Sequence, residues 1–177
     1  MAVVKASYTK ASAGGAKGAK QGVRYATHRE TASGERTTRE IYDRDGPLSR
    51  QEAYARIDQA EAQGGKYHYR LILNNGEGHR AADLQQTTRD TMQTLSDRHG
   101  GRVDWVAVNH DDHSRHEHAH VIAVTEKTLN KADLAAMRAE LDRSHQRNSY
   151  RDHLPGQERA AQQGERENQQ GGRGYER

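Results

Sequence analysis

The chain has 177 residues, a formal net charge of +3 and an apolar content of 32%, with no phenylalanine and one tryptophan. This length has room for one domain and a tail, and the core must be small and built mainly from Leu, Ile, Val, Ala and Tyr. The lack of cysteine excludes disulfides and thiolate metal sites, which suits a cytoplasmic protein, and we expect neither a signal peptide nor a membrane-spanning segment.

The first part of the chain reads as a strand followed by two helices. Residues 2–9 predict a strand, and a glycine-rich loop leads into a short helix over residues 16–28. An extended, turn-rich connection follows. The second helix is predicted to begin after Ser49, which forms a capping box with Glu52, and to end at a pair of glycines starting at Gly64.

The second part alternates strands and helices. Strands are predicted at 66–74, 102–109 and 118–126, and helices within 83–101 and 130–148. The last two strands form an antiparallel hairpin in the middle of a sheet, and the first strand of the chain is expected beside them. This order of elements predicts an α+β fold in which helices pack on one face of a central antiparallel sheet.

The composition also suggests a domain boundary. Residues 1–150 carry all of the predicted strands and helices and form one domain. From Pro155 onward the chain is rich in Gly, Gln, Glu and Arg and has few residues to bury. We therefore expect residues 151–177 to form a disordered tail.

The N-terminal segment is basic. Between residues 1 and 29 there is no Asp or Glu, and the basic residues are Lys5, Lys10, Lys17, Lys20, Arg24 and Arg29. A local excess of positive charge predicts a surface that binds phosphates. The alternative is an ordinary solvated helix face.

Five of the eleven histidines lie between residues 110 and 120. His118 and His120 are two residues apart on a predicted strand, so their rings project from the same face. His110 ends the preceding strand, and the hairpin can bring it level with the other two. Three neutral imidazoles leave coordination positions open, which is typical of a catalytic metal site.

The other residues of this segment have different expected roles. Asp112 is placed to hydrogen-bond a ligand imidazole and fix its tautomer. His113 and His116 lie on the loop and are expected to face solvent. The competing interpretation of the whole segment is a histidine-rich turn without function.

The segment HDDHSRHEHAHVI resembles the third motif of the single-tyrosine relaxases, a clade of the HUH endonucleases encoded by conjugative and mobilizable plasmids. That motif runs H-x-D, a short spacer, then H-x-H and an apolar strand, and His110, Asp112, His118 and His120 occupy its marked positions. The segment GGAKGAKQGVRYATHRE is similar to the clade's first motif, in which a helix carries the nucleophilic tyrosine. The resemblance therefore assigns that role to Tyr25.

The resemblance extends over roughly residues 1–145, and residues 66–111 resemble the clade's central strand-helix-strand unit. Glu117 stands where the clade usually has a proline. The longer relaxases continue into further domains, so the resemblance does not imply helicase or primase activity.

The resemblance implies a specific activity. Such a protein nicks single-stranded DNA at an origin of transfer by tyrosine transesterification, keeps a 5′-phosphotyrosine link and later religates the strand. It implies one divalent metal ion. Family precedent favours Mg or Mn as this ion, whereas imidazole ligands by themselves favour Zn or Ni. Lys17, Lys20, Arg24 and Arg29 would follow the DNA backbone. The resemblance also implies a bacterial cytoplasmic location, a plasmid or mobile-element origin, relaxosome accessory proteins and a coupling protein.

Two other functions stay open at this stage. Rolling-circle replication initiators and related transposases carry the same histidine pair but place the tyrosine after it, where Tyr150 stands, beyond the last predicted helix. No lysine follows Tyr150, and Pro155 comes soon after. A non-catalytic histidine-rich protein that binds metal or single-stranded DNA would need neither Tyr25 nor Asp112. Tyr8, Tyr67 and Tyr69 are predicted to pack on the sheet.

Overall fold

A computed structural model describes residues 2–28, 30, 34, 37–76, 83–110 and 117–152, with side chains up to residue 147. The strands are β1 Val3–Lys10, β2 Ile41–Tyr42, β3 Pro47–Leu48, β4 Tyr67–Asn74, β5 Val103–His110 and β6 His118–Thr125. The helices are α1 Gly15–His28, α2 Arg50–Ala62, α3 Leu84–Arg98 and α4 Lys131–Asp152, with a 3-10 turn at Ala11–Ala13. Helix α4 takes in the first two residues of the predicted tail, and the rest of that tail lies outside the described residues.

The strands form one antiparallel sheet in the order β1-β4-β6-β5-β2-β3. The α+β prediction and the central β5–β6 hairpin are confirmed. The expectation that β1 lies beside the histidine strands is wrong, because β4 pairs along its whole length with β1 on one side and β6 on the other. The extended connection also contributes β2 and β3, which the sequence analysis did not predict.

Helices cover both faces of the sheet, so the prediction of a single helical layer is wrong. Val106 and Ile122 pack under α1 and α2, whereas Trp105 and Val121 pack under α3 and α4. Strands β5 and β6 carry apolar side chains on both faces, so both faces must be covered to remove these side chains from water. The result is a three-layer arrangement with two helices on each side.

The local helix signals are confirmed. Ser49 Oγ accepts a hydrogen bond from the Glu52 amide at 3.2 Å, and Glu52 Oε2 accepts one from the Ser49 amide at 2.7 Å, which completes the predicted capping box. Met92 of α3 and Met137 of α4 are fully buried in the core, as their helical spacing predicts. None of the helices in the described ranges is both long and apolar enough to cross a membrane.

Candidate metal centre

The register of the β5–β6 hairpin brings three histidines together. His110 and His118 are cross-strand partners, and His120 pairs with Val108, two residues along the same face. Side chains alternate along a strand, so all three rings project toward α1 and α2. The ring centroids lie 4.5–5.2 Å apart, which confirms that the three side chains meet.

One pair of donor atoms has the spacing that a single ion requires, and the third lies close to it. Each ring offers one nitrogen, and these three atoms lie within 4.8 Å of one another. His118 Nε2 and His120 Nε2 are 3.2 Å apart. Nitrogens bound about 2.0–2.1 Å from one ion are separated by roughly 3.0–3.4 Å. The group could therefore hold a metal ion. His110 is buried and the other two are half-buried, so the open side of the group lies toward His118 and His120.

Helix α1 contacts the histidine group through its backbone. His110 Nε2 lies 2.7 Å from the carbonyl oxygen of Ala26. A carbonyl can only accept a hydrogen bond, so Nε2 carries the proton and the ring's lone pair is on Nδ1. This contact fixes the tautomer and the ring orientation, the role that the sequence analysis gave to Asp112. Asp112, like His113, His116 and Arg29, lies outside the described residues. A backbone carbonyl leaves no signal in the sequence, so Ala26 was missed.

Tyr25 immediately precedes Ala26 and is 59% exposed on α1. It lines a cavity of about 480 Å³ together with His120. The tyrosine predicted from the resemblance therefore lies on the helix that contacts His110 and opens into the same cavity as another histidine of the group.

Four other tyrosine side chains make contacts within the fold. Tyr8, Tyr67 and Tyr69 form a ring cluster, and Tyr69 belongs to the core under α3 and α4, on the face away from the histidines. Tyr42 donates a hydrogen bond to Asn109 at 2.6 Å, and its burial raises the pKa of its phenol well above the ordinary value. These positions agree with the prediction that Tyr8, Tyr67 and Tyr69 pack on the sheet.

Tyr150 lies within α4, so the expectation that it follows the last helix is wrong. The helix continues to Asp152 because no proline or glycine interrupts it before Pro155. Helix α4 packs through Met137 and Leu141 on the sheet face opposite the histidines.

The basic residues of α1 fall into different environments. Lys17, Lys20 and Arg24 are spaced three and four residues apart, so they share one stripe of the helix. Lys17 and Arg24 are exposed, whereas Lys20 forms an ion pair of 2.6 Å with Asp58 of α2. The charge of Lys20 is thus compensated within the protein, which makes it the weakest of the three predicted phosphate contacts.

No protein-family model and no curated protein sequence matches this chain. A solved structure that it does match is described as "Molecular Basis of Vancomycin Resistance Transfer in Staphylococcus aureus", with 13% sequence identity over 75% of this chain and 74% of that chain. The TM-score of that match is 0.37. The function therefore has to be inferred from the residues of this chain alone.

Proposed function

We propose that the protein is a site- and strand-specific DNA relaxase that nicks single-stranded DNA at an origin of transfer through Tyr25 and later rejoins the strand. One observation carries this proposal. The three histidines that could hold a metal ion lie beneath the helix of Tyr25, and His120 and Tyr25 line one cavity.

The donor set fits a divalent cation. Three neutral imidazoles add no negative charge, so a bound ion would offer its full charge to a non-bridging phosphate oxygen and stabilise the crowded transition state. The relaxase resemblance favours Mg or Mn, and imidazole donors favour Zn or Ni. In this proposal His110, His118 and His120 are the ligands, and the Ala26 carbonyl holds the His110 ring in place.

The chemical step exchanges one phosphoester for another. The Tyr25 oxygen attacks the phosphorus, a bond from this oxygen to phosphorus forms, and the bond from phosphorus to the 3′ oxygen breaks. The leaving oxygen takes up a proton and becomes a 3′ hydroxyl, while the 5′ phosphate stays on the tyrosine. Because the energy of the phosphodiester is retained, the reverse step rejoins the strand without a nucleotide cofactor.

Phenols are largely protonated at neutral pH, so the attack needs an acceptor for the phenolic proton. We assign this role to Asp112, the carboxylate two residues beyond His110 in the sequence.

The exposed Lys17 and Arg24 are the described cations of α1 that can follow the DNA backbone, with Arg29 as a further candidate from the sequence. The protein would act in the cytoplasm, would be encoded by a plasmid or mobile element, and would work with accessory and coupling proteins.

The initiator alternative is less well supported. It would need the tyrosine of α4, a helix that packs on the sheet face opposite the histidines. Tyr25 belongs to the helix on the histidine side. A non-catalytic metal-binding role would leave unexplained why an exposed tyrosine opens into the cavity that His120 lines.

A covalent-capture experiment tests the proposal. The protein is incubated with Mn²⁺ and a degenerate pool of single-stranded DNA that carries a fluorophore at the 3′ end, and the products are separated under denaturing conditions. We expect a labelled protein–DNA adduct, whose linked peptide contains Tyr25 and whose DNA ends report the cleavage site. Tyr25→Phe should form no adduct, and Tyr150→Phe, the matched control, should form it normally.

The same experiment separates the alternatives. An adduct on Tyr150 would favour the initiator function over the relaxase function. Stoichiometric metal binding without any adduct from the degenerate pool would support a non-catalytic, metal-binding protein.

A further inference from the structure

The cavity beside Tyr25 is a groove between α1 and the strands β1, β4 and β6. Its helical wall is formed by Gly18, Gly22 and Tyr25, and its strand wall reaches from Lys5 on β1 to His120 on β6. Gly18, Gly22 and Tyr25 are spaced four and three residues apart, so they form one stripe of α1. This stripe is distinct from the stripe of Lys17, Lys20 and Arg24, whose middle member pairs with α2.

Glycine keeps the groove open at two positions. A Cβ atom at Gly18 would have no heavy atom within 4 Å, so a side chain there would extend into space. A Cβ atom at Gly22 would lie 3.0 Å from Ile122 Cδ1 and 3.7 Å from Arg70 Cδ. The helix backbone therefore approaches the sheet closely at Gly22, and a flat ligand in the groove could reach the backbone at Gly18.

The sheet supplies an apolar floor and a positive rim. Lys5, Ile72 and His120 occupy one cross-strand row, and Arg70 and Ile122 occupy the next row. Neighbouring strands are about 4.8 Å apart, so the Lys5 backbone lies about 10 Å from that of His120. Lys5 and Arg70 are exposed, and within the described ranges neither takes part in an ion pair.

The charge of the groove points to one class of ligand. Its described lining contains two cationic side chains, Lys5 and Arg70, and no carboxylate. Apolar side chains with cations at the edge suit an aromatic ring that carries phosphates, since bases stack on apolar and aromatic surfaces and phosphates pair with cations. The groove is also continuous with the histidine group through His120.

We propose that this groove holds one unpaired base of the DNA strand next to the scissile phosphate, with Lys5 and Arg70 binding the flanking phosphates. The inference rests on the proposed function and adds to it the path of the strand and a reason for single-strand preference. A base can enter between α1 and β1 only when it is free of its complementary partner. Gln21, which also lines the groove, brings an amide that can hydrogen-bond the edge of the base.

A steric block tests the base-binding role. The probe is fluorescein-labelled (dT)20, measured by fluorescence anisotropy with EDTA present so that no cleavage occurs. Leucine at Gly18 fills the groove without meeting any other atom of the fold at its Cβ, and leucine favours helix more than glycine does. We expect Gly18→Leu to weaken binding about tenfold, within the range for losing one stacked base. The matched control is Ala55→Leu on the exposed side of α2, which should bind like the wild type.

A duplex probe distinguishes a base from a backbone ligand. Binding to (dT)20 paired with (dA)20 should be weaker and insensitive to Gly18→Leu. An equal loss on the duplex would mean that the groove takes a sugar–phosphate backbone, and wild-type affinity of Gly18→Leu for the single strand would mean that no base enters. Either result overturns the inference.

The phosphate contacts are tested by salt dependence. The double variant Lys5→Gln/Arg70→Gln should lower the slope of log affinity against log salt concentration by about 1.4, because each lost contact to single-stranded DNA removes about 0.7. The control Lys127→Gln/Arg138→Gln removes the same charge at exposed positions outside the groove and should keep the wild-type slope. Equal slopes in both double variants would exclude Lys5 and Arg70 as phosphate contacts.

The covalent-capture assay keeps the two proposals separate. If the wild type forms the Tyr25 adduct and the groove variants bind (dT)20 as tightly as the wild type, the groove inference alone fails. If the groove variants lose binding but the wild type forms no adduct, the proposed function fails and the groove remains a binding site for single-stranded DNA. If the wild type binds no single-stranded DNA, both fail.

Discussion

Among the glycines of α1, Gly15 lies closest to the sheet, where it meets the ring of His68 on β4. A Cβ atom at Gly15 would lie 2.2 Å from His68 Nδ1 and 2.9 Å from Cγ and Cε1. Non-bonded heavy atoms normally stay about 3.5 Å apart, so Gly15→Ala must move the ring or the helix by about 1 Å. The His68 side chain is 1% exposed and its Nε2 lies 3.0 Å from Glu61 Oε2, so it has no room to turn away.

The expected cost follows from overpacking. Forcing extra volume into a closed contact destabilises a protein by about 1–3 kcal/mol. Gly15 is the first residue of α1, so the gain in helix propensity offsets less than the ~1 kcal/mol that alanine brings in a helix interior. Gly18→Ala adds the same methyl group three residues later, into open space, and should stabilise by about 0.5–1 kcal/mol. The two variants should therefore differ by about 0.5–4 kcal/mol in the free energy of unfolding, with Gly15→Ala the less stable.

Urea unfolding followed by circular dichroism measures this difference. We expect the midpoint to fall for Gly15→Ala and to rise for Gly18→Ala. In a His68→Ala background the contact is gone, so Gly15→Ala should become neutral or stabilising, and the double-mutant cycle isolates the interaction. A Gly15→Ala protein as stable as the wild type would show that α1 does not rest on His68, and the seating of α1 over the histidines would have to be revised.

Two further predictions concern the metal and the pH dependence of stability. His118→Ala removes one of three ligands and should weaken Zn²⁺ or Mn²⁺ binding in isothermal titration by at least about 100-fold, whereas His28→Ala, at an exposed position on α1, should bind like the wild type; equal affinities would exclude His118 as a ligand. Burial by itself raises the pKa of Asp133, but hydrogen bonds from Asn130, Arg98 and His99 outweigh it and hold the pKa below the ordinary value. The unfolded state, with a pKa of about 3.9, then binds more protons, so the contribution of Asp133 to the free energy of unfolding should be constant above about pH 5 and fall as the pH drops through and below 4. Asp133→Asn should remove only part of this pH dependence, because Asp90 and Glu140 also pair with Arg147 and also have lowered pKa values. An unchanged pH profile would contradict the role given to Asp133.

The sequence alone determined the features that depend on local spacing. The capping box of Ser49 and Glu52, the buried faces of α3 and α4 and the β5–β6 hairpin are each encoded within one continuous stretch of at most about two dozen residues, where the helical and strand periods act directly. The histidine group was predictable for the same reason. His118 and His120 share a face because side chains alternate along a strand, and a short hairpin loop brings His110 opposite them.

Only the tertiary structure decided what depends on contacts between distant segments. The insertion of β4 between β1 and β6, the second helical layer, the carbonyl of Ala26 on His110 and the approach of Lys5 to the histidine side of the sheet all join residues far apart in the chain. Local periods define which face of an element is apolar, but not which partner covers it, because many pairings bury similar apolar area. That choice is made by the packing of the whole sheet. There β4 satisfies its backbone hydrogen bonds on both edges, and glycines let α1 come close enough for Tyr25 to line the same cavity as His120.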